Sequence, residues 1–270
     1  MSQLPVAQDV NRENFNVHST NYAERVMDRK SWKNLTNDDE VVISQIREMT
    51  LNKIPLDIID IGCGTGDRLR HILEVGNINL ADISSIKGFD YAEKMILHAK
   101  NQTYQGKPLY NELLTADILT IDEIPKGNVV LCLWSILNNL MGNENMALMN
   151  FAKICSPNGV IIFDFLTTKS YETLINNEKK LLLMKPELKK FQDKNSFWYA
   201  RNDETIGHMK LIGVEECNES IKKANLRFKN VSGYDNVSFI NQQIINDYDN
   251  ESIPTYAETK CDVLVCVVTH

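Results

Sequence analysis

Several features that would assign a chain to a functional class are missing from this one. Its six cysteines, Cys63, Cys132, Cys155, Cys217, Cys261 and Cys266, include no Cys-x-x-Cys pair. The spacing of a zinc or redox site is therefore lacking, no metal is expected, and the thiols read as reduced. Cys132 and Cys266 lie inside apolar runs, where a free cysteine packs as a small hydrophobe. No apolar stretch approaches the roughly 18 residues of a membrane helix. The polar start, Met1 to Thr20, has neither the basic end nor the apolar run of a signal peptide, so a cytoplasmic location is expected. Positive charge is in deficit as well: 29 lysines and arginines against 36 aspartates and glutamates leave a net charge of −7. No global field exists to hold a polyanion or an anionic membrane surface, which disfavours nucleic acid as a partner.

What is present is an ordinary globular chain of 270 residues, 43% hydrophobic and 24% charged, enough for one core of usual size. Apolar runs bounded by turn residues alternate with helical stretches, the pattern of a parallel sheet covered by helices on both faces. Strands are predicted at Asp57–Ile61, at a run ending in Ile86-Lys87-Gly88-Phe89-Asp90, at Val129–Leu133 and at Val160–Leu166. Leu69, Ile72 and Leu73 mark one apolar helix face; Ala92, Met95, Ile96 and Ala99 mark another. A third helix is predicted around Ala147 to Cys155, ended by the turn Pro157-Asn158-Gly159. The β-branched run Val263–Val268 predicts a closing strand. Between these, 167–236 is more polar, with a lysine-bearing helical stretch and strand-like pieces at Phe197-Trp198-Tyr199 and Met209 to Val214. That segment reads as an insertion capping a site between the fifth and sixth strands, flanked by the main domain at 51–166 and 237–270.

The most informative segment is Asp60-Ile61-Gly62-Cys63-Gly64-Thr65-Gly66, directly after a predicted strand and opening a helix. Its three glycines let a ligand touch the backbone. A dinucleotide fingerprint beginning at Gly62 needs glycine at position 67, where this chain has Asp67. The failure has a physical meaning, because a pyrophosphate would sit on the positive end of the helix, where Asp67 and Asp60 add negative charge instead. A ligand bearing a sulfonium and an α-ammonium suits the same acidic turn.

With that acid-x-G-x-G-x-G pattern the chain resembles the class I methyltransferases dependent on S-adenosylmethionine (SAM), of the small-molecule type. The resemblance runs from about Tyr22 to Leu166 and resumes at the last strand. It implies an α/β fold with a Rossmann-like, doubly wound, mostly parallel seven-stranded sheet, SAM as cofactor, and a loop of Asp60, Gly62, Cys63, Gly64 and Gly66 lying against its methionine part. Asp90, 24 residues beyond Gly66, stands where a carboxylate accepts both ribose hydroxyls. The run Asp90 to Met95 resembles the family's acid-x-x-x-x-M segment, which implies that Met95, with Tyr91 nearby, packs against adenine. Asp117, followed by Ile118, resembles the family's adenine-binding acid. Leu133 and Trp134 follow the fourth strand, where members line both cofactor and methyl group. Tyr22 through Trp32 resembles the helical lid that members fold over SAM, here within residues 1–50.

The expected activity is methyl transfer to a small-molecule N or O acceptor by a monomer or homodimer, with RNA or protein methylation, or SAM binding without transfer, as alternatives. His18 and His208 are possible general bases, and neither is assigned as one. The charges of the insertion, among them Lys179, Lys180, Glu178 and Glu187, read as a solvated helix face.

Overall fold

The structure is a computed structural model that describes residues 9–17, 19, 37–120, 125–185, 188, 195–201, 205–234 and 252–270. Helix α1 covers 9–17 and α2 Asn37–Leu51. Strand β1 (Leu56–Ile61) is followed by α3 (Asp67–Val75), β2 (Ile83–Asp90) and α4 (Glu93–Ala99). Then come β3 (Glu112–Thr115), β4 (Gly127–Cys132), α5 (Glu144–Ile154) and β5 (Cys155–Leu166). Helix α6 (Ser170–Met184) and a hairpin of β6 (Ser196–Arg201) and β7 (Thr205–Lys210) precede α7 (Val214–Lys223). Strand β8 (Arg227–Tyr234), the short α8 (Ala257–Lys260) and β9 (Val263–Thr269) complete the order.

One seven-stranded sheet runs β8-β9-β5-β4-β1-β2-β3. From β3 to β5 all pairings are parallel; β9 inserts antiparallel between β5 and β8. This is the expected α/β class, with the strand order 3-2-1-4-5-7-6 of class I methyltransferases. Strand alternation divides the core: Ile59 and Ile61 of β1 join Phe151, Phe163 and Phe228 on one face, while Leu56 and Ile58 join Ile46, Ile72 and Ile96 on the other. Each such side chain, removed from water, contributes about 1.5 to 3 kcal/mol before conformational entropy is counted.

The structure redraws three predicted elements. The sixth sheet strand, β8, and the helix before it lie inside 167–236, the range whose polarity predicts a cap. Strand β8 reads Arg-Phe-Lys-Asn-Val-Ser-Gly-Tyr, polar because an edge strand with one solvated face needs few apolar residues. The strand-like Met209 to Val214 is split, since β7 stops at Lys210 and α7 starts at Val214 after Gly213. Pro157-Asn158-Gly159 does not separate helix from strand; it lies inside β5, with Asn158 left-handed at φ 66. The β4–β5 register slips there, from Gly127↔Cys155 to Val129↔Val160, as at a bulge. Among the described residues no helix is long and apolar enough to cross a membrane, and no group of three or more His, Cys, Asp or Glu could hold a metal ion.

Candidate active site

Strands β1, β2, β3 and β4 end on the same edge of the sheet, and a cavity opens beyond them, as expected for open α/β sheets. The turn after β1 forms its floor. Gly62 has φ 65, and a Cβ there would come within 2.1 Å of Ile136 Cδ1, so the turn closes only around a hydrogen. Gly64, at φ 55, has nothing within 4 Å of the position a Cβ would take. Its backbone thus faces open space, a cradle for a ligand rather than a packed turn. Gly66, the N-cap of α3 at φ 81, is not among the residues that line the cavity.

Hydrogen bonds stitch this turn to the end of β2. Cys63 N–H donates to Phe89 O at 2.9 Å. Gly64 N–H donates to Asp90 Oδ2 at 2.9 Å, and Ala92 N–H donates to Asp90 Oδ1 at 2.8 Å. Tyr110 Oη–H donates to Asp60 Oδ2 at 2.7 Å. Burial is the main reason that both acids hold their protons more tightly than usual. Asp60 is pushed up to about 6, the Tyr110 hydroxyl opposing and Asp90's charge adding to the rise. Asp90 is also pushed up to about 6 by burial, against the pull of the Ala92 and Gly64 amides. Two carboxylates so placed favour a ligand with positive charge and hydroxyl donors.

The first turn of α3 is taken by a protein anion. Asp67, 5% exposed, accepts from Thr65 Oγ1 at 2.7 Å, from Gln102 Nε2 at 3.1 Å and from Arg70 Nη2 at 3.3 Å. It sits where a pyrophosphate would use the helix N-terminus, and a second anion there would be repelled.

The wall beyond β4 is backbone held in an unusual shape. Trp134 and Ser135 both have positive φ, 68 and 56, which costs a residue with a Cβ roughly 1 to 2 kcal/mol. Asp164 in β5, 2% exposed, offsets this by accepting Trp134 N–H at 2.6 Å through one oxygen and Ser135 N–H through the other. The Arg68 guanidinium lies 5.1 Å from the Trp134 ring centre and pairs with buried Asp39 of α2 at 2.8 Å.

Residues 59–163 match the family model described as a methyltransferase domain. Over those residues the chain carries a methyltransferase domain, that of a SAM-dependent enzyme. Among curated proteins no relative matches the sequence. Solved structures share the fold at low identity. A SAM-dependent methyltransferase from Clostridium acetobutylicum has TM-score 0.61 at 13% identity, over 93% of this chain and 98% of that one. Magnesium protoporphyrin IX methyltransferase from Synechocystis, with S-adenosylhomocysteine (SAH) bound, has 0.58 at 14%, over 97% and 99%. The N-methyltransferase NodS from Bradyrhizobium japonicum, also with SAH, has 0.52 at 13%, over 96% and 98%. The cofactor is SAM, and the acidic, glycine-lined turn fits it.

Of the residues singled out from the methyltransferase's sequence, Asp60, Gly62, Cys63, Gly64, Asp90, Tyr91, Met95, Asp117, Ile118, Leu133 and Trp134 all line this one cavity. Gly66 supports it from behind. Tyr22, Trp32 and His18 fall outside the described residues. His208 is buried in the hairpin, stacked on Trp198 with ring centres 4.0 Å apart and its Nε2 3.0 Å from Ser196 Oγ, and is not a lining residue. Sequence reasoning missed Phe15, Arg68, Asn139 and Met209 in the lining, and Tyr110 and Asp164 behind it. Only Asp164 left a signal: a carboxylate inside the run Val-Ile-Ile-Phe-Asp-Phe needs buried donors.

Proposed function

We propose that this methyltransferase transfers its methyl group to a small molecule, at a nitrogen or oxygen. The observation that carries the reading is the form of the cavity: it is concave, and Phe15 of α1, edge-on to Tyr91, and Met209 of the hairpin line it together with residues of the sheet edge, a form that suits a small acceptor. The net charge of −7 favours such an acceptor over RNA. NodS is an N-methyltransferase, and a neighbour from Burkholderia thailandensis is a 1,6-didemethyltoxoflavin N1-methyltransferase at TM-score 0.53 and 12% identity.

In this reading the turn of Gly62, Cys63 and Gly64, with Asp60, holds the methionine part of SAM, and Gly66 sets the turn. Asp90 accepts the ribose hydroxyls. Tyr91, Met95 and Ile118 flank the adenine and Asp117 accepts its amine. Leu133 and Trp134 wall the transfer point. When bound, SAM supplies an electrophilic methyl on a sulfonium. The protein's work is to exclude water, neutralise the positive charge with Asp60 and Asp90, and hold the acceptor in line at about 3 to 3.5 Å. The cap is residues 168–212, and α1 belongs to an N-terminal lid within 1–50. Tyr22 and Trp32 are assigned to that lid. Separating a cell extract into small-molecule, RNA and protein fractions and measuring SAH formation with each tests the reading. Turnover with the small-molecule fraction is expected, and turnover confined to RNA or protein would overturn it.

A further inference from the structure

The third glycine of the turn and the glycine of β2 make room for a side chain, not for a ligand. A Cβ on Gly66 would come within 2.8 Å of Tyr110 Cε2, and one on Gly88 within 2.8 Å of Tyr110 Cε1. The Tyr110 ring is thus wedged against both glycines behind the cavity floor. Its segment is tied to β2, with Asn111 N–H donating to Ile86 O at 2.8 Å and Ile86 N–H donating to Asn111 Oδ1 at 2.7 Å. What the wedge presents to the site is one hydroxyl, which donates to Asp60 Oδ2 at 2.7 Å. Asp60 lines the cavity and Tyr110 does not. Asp60 is 8% exposed. Its Oδ1 accepts no hydrogen bond among the described residues, yet it is not one of the buried oxygens without a partner, so Oδ1 opens onto the cavity.

We propose that Tyr110 is a positioning residue for the cofactor: by holding Asp60 Oδ2 it aims Oδ1 at the α-ammonium group of the methionine part. This rests on the placement of that part at the glycine turn given above. The hydroxyl also decides the charge of its partner. A buried carboxylate loses the water its charge needs, and a phenol donor restores part of that stabilisation. Burial pushes Asp60 up to about 6, and the Tyr110 hydroxyl keeps it from rising further. Titratable groups face Asp60 from β2 (Asp90), from the turn (Cys63) and from β4 (Cys132), besides Tyr110 itself, on which Asp67 of α3 acts. Arg68 is the cation of the lining. Burial pushes the Cys63, Cys132 and Tyr110 groups well above their usual values and keeps them neutral. Of the groups that face Asp60, only Asp90 therefore changes charge in the same pH range.

The test compares SAH with methylthioadenosine, which keeps the adenine, ribose and thioether and lacks the amino-acid part. Asp90 serves the ribose of both, so its titration cancels in the ratio of their affinities, and the ratio reports Asp60. Both are titrated calorimetrically into the full chain between about pH 5 and 8. In the wild type the preference for SAH should weaken as pH falls through about 6, because a protonated Asp60 cannot pair with an ammonium. Tyr110→Phe keeps the wedge and removes only the hydroxyl. It should weaken SAH about tenfold at about pH 7, leave methylthioadenosine within about threefold, and move the fall in preference to higher pH by about one pH unit. Asp60→Asn should abolish the pH dependence of the preference, and adding Tyr110→Phe to it should change the ratio by no more than about twofold. A wild-type preference that is flat through this range, a Tyr110→Phe chain that loses both ligands equally, or one whose SAH affinity and pH profile match the wild type would overturn the proposal. Failure of the cofactor placement itself shows separately, as a wild type that binds neither ligand.

Discussion

The two ends of the cavity are built in opposite ways. At the cofactor end, backbone turns and carboxylates from consecutive strand-helix units are locked together by hydrogen bonds such as Gly64 N–H to Asp90 Oδ2 at 2.9 Å. Elsewhere the lining comes from segments far apart in sequence: residues 139 and 209, and Phe15 of α1, which lies edge-on to Tyr91 with ring centres 6.2 Å apart. Asn11 of α1 and His208 of the hairpin exchange a reciprocal pair, Asn11 Nδ2 to His208 O at 2.8 Å and His208 N–H to Asn11 Oδ1 at 2.9 Å. One end is a fixed feature of the sheet edge; the other is two added pieces tied to each other and to the sheet by asparagines. A cofactor shared across a family suits the first construction, and an acceptor particular to one enzyme suits the second.

The largest effect on the cofactor end is expected at Asp90. Asp90→Ala should weaken SAM binding about a hundredfold, from two lost charge-assisted hydrogen bonds of about 1.5 kcal/mol each, while thermal denaturation still shows a folded protein. Next in size is Asp164→Asn, which leaves one of the Trp134 and Ser135 amides facing an NH2 group. A loss of about 2 to 3 kcal/mol is expected in denaturant unfolding. Asn138→Ala, which removes the hydrogen bonds from Nδ2 to Leu166 O and Lys210 O, should cost less in global stability, about 1 to 2 kcal/mol. It should raise amide exchange in β6 and β7 while SAM affinity changes little, which would show that the two ends are separable.

The smallest effect is on pH, and its sign follows from the raised acids. In the ligand-free protein Asp60 and Asp90 titrate at about 6 instead of 3.8, so the native state binds protons more tightly than the unfolded chain. Their contribution to stability is fully present below pH 3.8 and is lost as pH rises through about 6. Bound SAM favours the ionised forms. Its affinity should therefore fall as pH drops below about 6, with proton release on binding near that pH. A flat affinity between pH 5 and 7, roughly one unit either side, would contradict this.

The same contrast explains what the sequence made legible. The cofactor end was readable because its residues are consecutive and chemically distinctive: a glycine turn, an acid at the end of β2, Asp117 past β3. Strands buried on both faces, β4 and β5, were readable from continuous apolar runs. Strand β8 was not, because its partner and its half-solvated face, rather than its composition, make it a strand. Phe15, Asn139 and Met209 were not, because a phenylalanine, an asparagine and a methionine carry no chemistry until the fold brings them to one wall. Asp164 lies between: its burial was predictable, but its partners, two backbone amides 30 and 29 residues earlier, were not.

Charge at the glycine turn selects a cationic cofactor over a pyrophosphate. The most direct test is calorimetric titration of the purified chain with SAM and, in parallel, with NADH. Saturable binding of SAM with no detectable binding of NADH is the predicted result. Binding of NADH in place of SAM would contradict it and would mean that Asp60 and Asp67 do not set the sign of the site.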